Sequence, residues 1–158
     1  MTALERVQAY LDACQPGLKV IELAEDTSTA ELAARALGVG VGQIAKSLLF
    51  KARDGYIMVV AAGDVRMDAK ELKKTAGSKV RMANAEEVLA VTGYPVGGVC
   101  PFALPRPVPV YLDESLKRYD VVYAAAGTPN SALPITFDQL RKITRGIPCR
   151  VSLDSEMD

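Results

Sequence analysis

A chain of 158 residues is enough for one domain of ordinary size, and with 49% hydrophobic and 24% charged residues it is too apolar to be disordered. The 19 Lys and Arg residues balance 19 Asp and Glu, so a broadly cationic nucleic-acid coat is excluded and any RNA contact must come from a local patch and from shape. Histidine and tryptophan are absent and the aromatics are six Tyr and three Phe; His-based triads, His metal sites and an aromatic stacking platform are thereby set aside.

In chain order, Leu4, Val7, Leu11 and Cys14 fall at helical spacing, which predicts a helix from Thr2 to Cys14 stopped by Pro16-Gly17. Lys19 to Leu23 reads as a short strand, and Thr27-Ser28-Thr29 can cap a helix running through AELAARAL to Gly38. The following GVGVGQIAKSLLF has neither Walker nor GxGxxG spacing, so it is not a phosphate loop. Ile44 to Ala52 and Gly55 to Ala62 are apolar runs that Arg53-Asp54-Gly55 would join as a hairpin, with Asp-Gly supplying the tight turn. Asp68 can cap AKELKKTA, which Gly77 ends, and Val80 to Ala83 is a small strand. Asn84 and Glu87 make a capping-box pattern for AEEVLAVT, closed by Gly93. Strands are predicted at Val108–Leu112, Val121–Ala125 and Leu133–Thr136, with a polar turn of helix around Ser115–Arg118 between the first two. Phe137–Thr144 is a last helix, with Gly146 beyond its end.

Strands do not alternate regularly with long crossover helices, and no linker or repeat interrupts the chain. The expected fold class is therefore α/β of the α+β kind. It is a single compact domain, residues 1–158, with a mixed, largely antiparallel curved sheet surrounded by short helices. The opening MTALERVQAYLDACQP lacks the apolar run of a signal peptide, and nothing approaches the roughly 18–20 apolar residues of a membrane span. A cytoplasmic protein without membrane contact is expected. Cys14, Cys100 and Cys149 are odd in number, far apart and without a CxxC pair, which fits reduced thiols, at least two of them in the interior, rather than disulfides or zinc.

Three features carry chemistry. GYPVGGVCP, Gly93 to Pro101, must turn sharply, with a positive φ at Gly97 or Gly98; it is either a plain tight turn or a loop whose amides face outward as an oxyanion pocket. AAAGTPNS, Ala124 to Ser131, is a second loop of small residues able to form an opposite wall. Lys46 enters an apolar run and either snorkels at a strand edge or points into a polar cavity where it meets a phosphate or developing negative charge. Lys70, Lys73 and Lys74 share a helix face that is solvated or touches an RNA backbone. Cys100, inside the loop, is a rival nucleophile with no histidine to deprotonate it.

QIAKSLLF, then TGYPVGGVCPFALP, then VYAAAGTPNSALPITFDQL, in this order and spacing, resemble the YbaK family. These are the prolyl-tRNA synthetase-associated editing domains, which include stand-alone deacylases and an insertion domain of bacterial prolyl-tRNA synthetases. The resemblance runs from the AELAARAL helix to the last helix. It implies that fold and a hydrolase that deacylates mischarged aminoacyl-tRNA in trans, a small amino acid on tRNA(Pro), with no cofactor and with prolyl-tRNA synthetase as a partner. It makes Lys46 the residue that engages the phosphate end of the acceptor, and Gly97 and Gly98 part of the GxxxP loop whose amides hold the aminoacyl carbonyl. Pro101, Gly127 and Ser131 become substrate-binding. Where some Cys-specific relatives carry Ser and Asp, this chain has Ala125 and Ala132. A non-catalytic module that binds a nucleotide, an aminoacyl-tRNA or a partner protein on the same fold is the alternative. With neither histidine nor a thiol cluster to hold zinc, deacylation should be unchanged by EDTA once magnesium effects on the tRNA are controlled; loss of activity restored by added metal would contradict this.

Overall fold

The computed structural model describes residues 1–153, so residues 154–158 of the expected domain lie outside the described ones. Five helices form where the caps predict them: α1 (Ala3–Cys14), α2 (Ala30–Leu37), α3 (Ala69–Ala76), α4 (Ala85–Thr92) and α5 (Phe137–Thr144). Thr2, Thr29, Asp68, Asn84 and Thr136 each accept a first-turn backbone N–H, and Thr2, Asn84 and Thr136 complete capping boxes with Glu5, Glu87 and Gln139. Helix α5 ends on Arg145, which itself takes the left-handed conformation at φ 56°. Gly146 instead answers a close approach, since a Cβ there would come within 2.7 Å of Leu112 Cγ.

The strands are β1 (Ile21–Glu22), β2 (Ile44–Ala52), β3 (Gly55–Ala62), β4 (Arg81–Met82), β5 (Val110–Asp113), β6 (Val122–Ala124), β7 (Ser131–Ile135) and β8 (Ile147–Cys149). They make one mixed, eight-stranded sheet in the order β1-β7-β6-β2-β3-β5-β8, with β4 added to β2. Four pairings are antiparallel; β2–β6, β3–β5 and β5–β8 are parallel. The predicted KVIEL strand and Val80–Ala83 shrink to two residues each, and a 3₁₀ turn at Val41–Gln43 and strand β8 are additions. Pro148 hides β8 from sequence patterning, and it is tolerated because β8 pairs on one side only. The hairpin turn also differs. Arg53 and Asp54 alone separate the paired Ala52 and Gly55, neither has positive φ, and Gly55 takes it at 152° as the first paired residue. Asp-Gly therefore straddles the turn's exit rather than filling its centre.

Alternation along β3 divides the core. Met58 and Val60 pack with Val7 and Leu11 of α1, Val91 of α4 and Leu140 of α5, while Ile57 and Val59 face the other way, with Leu72 of α3 and Val151. Of the thiols only Cys100 is fully buried; Cys149 is half-buried and Cys14 exposed, which corrects the expectation of two interior cysteines. Cys14 is the final residue of α1, where the chain leaves toward Pro16-Gly17 and overhangs the core.

A buried carboxylate ties the chain's last described segment to the sheet. Asp113 is fully buried and accepts from Val151 N (2.7 Å), Ser152 N (3.2 Å), Ser152 Oγ (2.8 Å) and Ser115 N (3.1 Å). Asp113→Ala leaves these donors without an acceptor, and urea denaturation should show a loss of about 2–4 kcal/mol. A variant within 0.5 kcal/mol or so of wild type would mean that water replaces the carboxylate.

Candidate active site

Strand β2 has two different partners along one edge, and a cleft opens between them. The parallel register with β6 stops at Ala45–Ala124, and the antiparallel register with β4 starts at Phe50–Met82. The cleft of about 380 Å³ lies in this gap, floored by Lys46–Leu49 of β2. Its walls are Thr27–Ala30 and Glu31 at the start of α2, Met82 and Ala83, Val96, Gly97 and Val99, and Ala124, Ala125, Ser131 and Ala132. Ligand sites occur where the strands of an open sheet diverge in this way, because backbone and side chains there face a crevice rather than a neighbouring strand.

Lys46 pairs with β3 on one side only, and its side chain is half-buried rather than free in solvent at that open edge. Its ammonium donates to the carbonyl of Val65 at 2.6 Å and lines the cleft. Desolvation lowers its pKa from the usual lysine range, opposed by the nearby charges of Asp64 and Glu31. Asp64 is itself held below the ordinary carboxylate range, chiefly by its hydrogen bonds from Arg118. Lys46 is the only cation lining the cleft and Glu31 the only anion, among the described residues.

The two small-residue loops meet, as their composition suggested. Gly127 N–H donates to Gly98 O at 2.9 Å, and a Cβ on Gly98 would come within 2.8 Å of Gly127 C and Thr128 N. Gly98 is thus demanded by backbone-to-backbone contact. Its own N–H donates to Pro95 O at 2.9 Å and closes a turn, so it is not free for a ligand. Gly97 takes the positive φ, 94°, and lines the cleft with Val99. Among the described residues neither Gly97 N–H nor Val99 N–H has an acceptor in the chain. Gly127, at φ 96°, lies on the ring of Tyr94, whose hydroxyl donates to Phe102 O at the far end of the first loop.

Of the predicted site residues, Lys46, Gly97 and Ser131 line one cleft; Gly98, Pro101 and Gly127 are not among its lining residues. The Ser131 hydroxyl accepts from Ala126 N at 3.2 Å and donates to Thr128 O at 3.1 Å, pinning the second loop. Lys70, Lys73 and Lys74 are exposed on α3 and do not line the cleft. Sequence reasoning missed Ser47, Glu31, Val99 and the apolar Met82 and Val96. Thr27-Ser28-Thr29 read only as a cap, and Ser47 was hidden beside the more conspicuous Lys46.

Cys100 is a poor nucleophile. It is fully buried, and desolvation pushes its thiol up to about 12, the effect outweighing a hydrogen bond from the Phe102 backbone.

Compared with known proteins, the fold is the editing-domain fold. At a TM-score of 0.90 and 38% identity it superposes, over 97% of this chain and 98% of the other, on a crystal structure described as "a putative trans-editing enzyme for prolyl tRNA synthetase". A family model, the aminoacyl-tRNA editing domain, matches residues 24–143, and the chain belongs to that family. It is 44% identical to YwhH of Bacillus subtilis over 143 residues, 90% of this chain and 91% of the relative. It is 31% identical over 124 residues, 77% of this chain and 76% of the relative, to the Enterococcus faecalis "Putative Cys-tRNA(Pro)/Cys-tRNA(Cys) deacylase EbsC".

With its thiol protonated and enclosed, Cys100 should resist iodoacetamide at pH 8 while exposed Cys14 is alkylated, and Cys100→Ser should keep most of the activity. Peptide mapping by mass spectrometry reads the first expectation. A dead Cys100→Ser variant with a normal melting temperature would restore the thiol to the mechanism.

Proposed function

We propose that the protein is a trans-editing hydrolase that deacylates mischarged aminoacyl-tRNA, with a small amino acid on tRNA(Pro) as substrate. The observation that carries this reading is the pair of acceptor-free amides, Gly97 and Val99, lining the same cleft as the half-buried Lys46. Family membership supports the reaction class, and the likeness to a protein described as trans-editing for prolyl-tRNA synthetase supports the tRNA and a synthetase partner. Among the described residues no helix is long and apolar enough to cross a membrane. The cytoplasm, where charged tRNA is found, is the compartment this reading implies.

The chemistry needs little beyond orientation and charge stabilisation. An aminoacyl ester is already activated. Water attacks the carbonyl carbon, the developing oxyanion is met by the two amides, and the intermediate collapses with departure of the terminal ribose oxygen. That oxygen is protonated by the water-derived proton passed through the neighbouring ribose hydroxyl. The products are the free amino acid and the deacylated tRNA. Fixed amide dipoles do not reorganise as charge develops, and each is worth roughly 10²–10³ in rate. Lys46 supplies the positive charge for the phosphate end of the acceptor, which fixes the ester against the loop. Ala124, Ala125 and Ala132 keep that wall of the cleft small and apolar. Gly98, Pro101, Gly127 and Ser131 hold the loops in place.

Release of labelled amino acid from a panel of mischarged tRNAs tests the reading. Wild type should turn over at least one ester of Ala, Cys, Ser or Thr; binding without release would make the protein a binding module instead. Gly97→Ala puts a Cβ 2.8 Å from Ser28 Cβ at a φ of 94°. It should cut turnover by roughly tenfold or more, with a stability loss of about 1–3 kcal/mol. Lys46→Ala should remove most activity with the melting temperature little changed, and near-normal activity in it would withdraw the lysine's role.

A further inference from the structure

Donors and acceptors in the cleft come from different segments of the chain. The free donors are the amides of Gly97 and Val99, on the loop after α4. The acceptors are on other segments, on β2 and in the first turn of α2, whose start abuts Gly97 at Ser28. Gly63 N–H donates to Ile44 O at 2.8 Å and Met58 N–H to Pro109 O at 2.9 Å. These two bonds set the phase of the ladder: even-numbered residues of β2 bond to β3, and odd-numbered ones turn their N–H and C=O the other way. For Ser47 nothing waits on that side, because β6 leaves the register at Ala45 and β4 enters it at Phe50. Among the described residues the carbonyl and the hydroxyl of Ser47 have no hydrogen-bond partner, and Ser47 lines the cleft. Glu31, in the first turn of α2, lines it too and makes no ion pair among the described residues.

An aminoacyl ester has the matching polarity. Its carbonyl oxygen only accepts, whereas the α-ammonium one carbon away offers three N–H donors and accepts nothing. Once the carbonyl takes the loop amides, that ammonium must find acceptors inside the cleft or lose its hydration without compensation. Lys46, a cation, cannot serve. We infer that the Ser47 carbonyl and hydroxyl, together with the Glu31 carboxylate, form a subsite for the free α-ammonium group of the acyl moiety. The protein thereby favours aminoacyl esters over esters whose α-nitrogen is replaced. This inference rests on the deacylase reading, and adds to it the group by which the acyl moiety is recognised.

The probe is a matched pair of esters on the same tRNA(Pro): alanyl, and lactyl, in which a hydroxyl replaces the ammonium on the same carbon skeleton. Each enzymatic kcat/KM is divided by the spontaneous hydrolysis rate of the same ester, which removes the intrinsic difference in lability. The lactyl ester should show an enhancement smaller by roughly tenfold or more, the order expected for losing charge-assisted hydrogen bonds. Glu31→Gln should narrow that gap by raising KM for the alanyl ester several-fold more than for the lactyl ester, over and above any common effect through its charge near Lys46. Equal enhancements for the two esters would overturn the inference, and so would a Glu31→Gln variant that slows both alike. No enhancement on either ester would remove the deacylase reading itself, and this subsite with it.

Discussion

Strand β2 pairs with β6 over its first residues and with β4 over its last, and the two partners never meet. Buried backbone polar groups are almost always paired, so a stretch of interior strand left without a neighbour on one edge is an opening that water or a ligand must complete. The cleft exists because of that divergence. Lys46, Ser47, Leu48 and Leu49 face it from one side, while α2 and the loops after α4 and β6 form its rim. On its other edge β2 is locked to β3 over eight residue pairs, which keeps the floor rigid.

The wall opposite the sheet is set by backbone contact. Gly98 and Gly127 approach so closely that a single Cβ on the former would collide with main-chain atoms, and the Gly127 N–H bond to Gly98 O joins the loops. Behind them the fully buried Tyr94 carries the Arg6 guanidinium on its ring face, 4.6 Å from the centroid, and holds Phe102 through its hydroxyl. Both ends of the loop from Pro95 to Pro101 are anchored by this one side chain. In the deacylase reading proposed above, this anchoring would orient the amides of Gly97 and Val99 before a substrate arrives, the condition under which dipoles help a reaction most.

The absence of histidine is consistent with this chemistry. Oriented amides, one lysine and the substrate's own hydroxyls suffice for an activated ester, whereas an amide substrate would demand a stronger acid and base. The charges around Lys46 fit the same account: burial disfavours its charged form, and Asp64 and Glu31 restore part of the loss.

Local signals in the sequence determined the five helices, since each begins at a Ser/Thr/Asp/Asn-type cap whose bond forms within one turn, and the β2–β3 hairpin, whose two runs are adjacent in the chain. The family was legible too, because QIAKSLLF and the two small-residue loops are contiguous motifs. Tertiary structure alone decided the parallel pairings and β8, whose partners lie far along the chain and whose Pro148 contradicts strand patterning. It also decided which loop glycine has a free amide. Gly97 and Gly98 are neighbours of identical chemistry, and only the turn closed on the Pro95 carbonyl commits the N–H of Gly98 and leaves that of Gly97 open. Ser47 is the plainest case: its exposed main chain follows from where two distant strands stop pairing, a property of the sheet that no local pattern encodes.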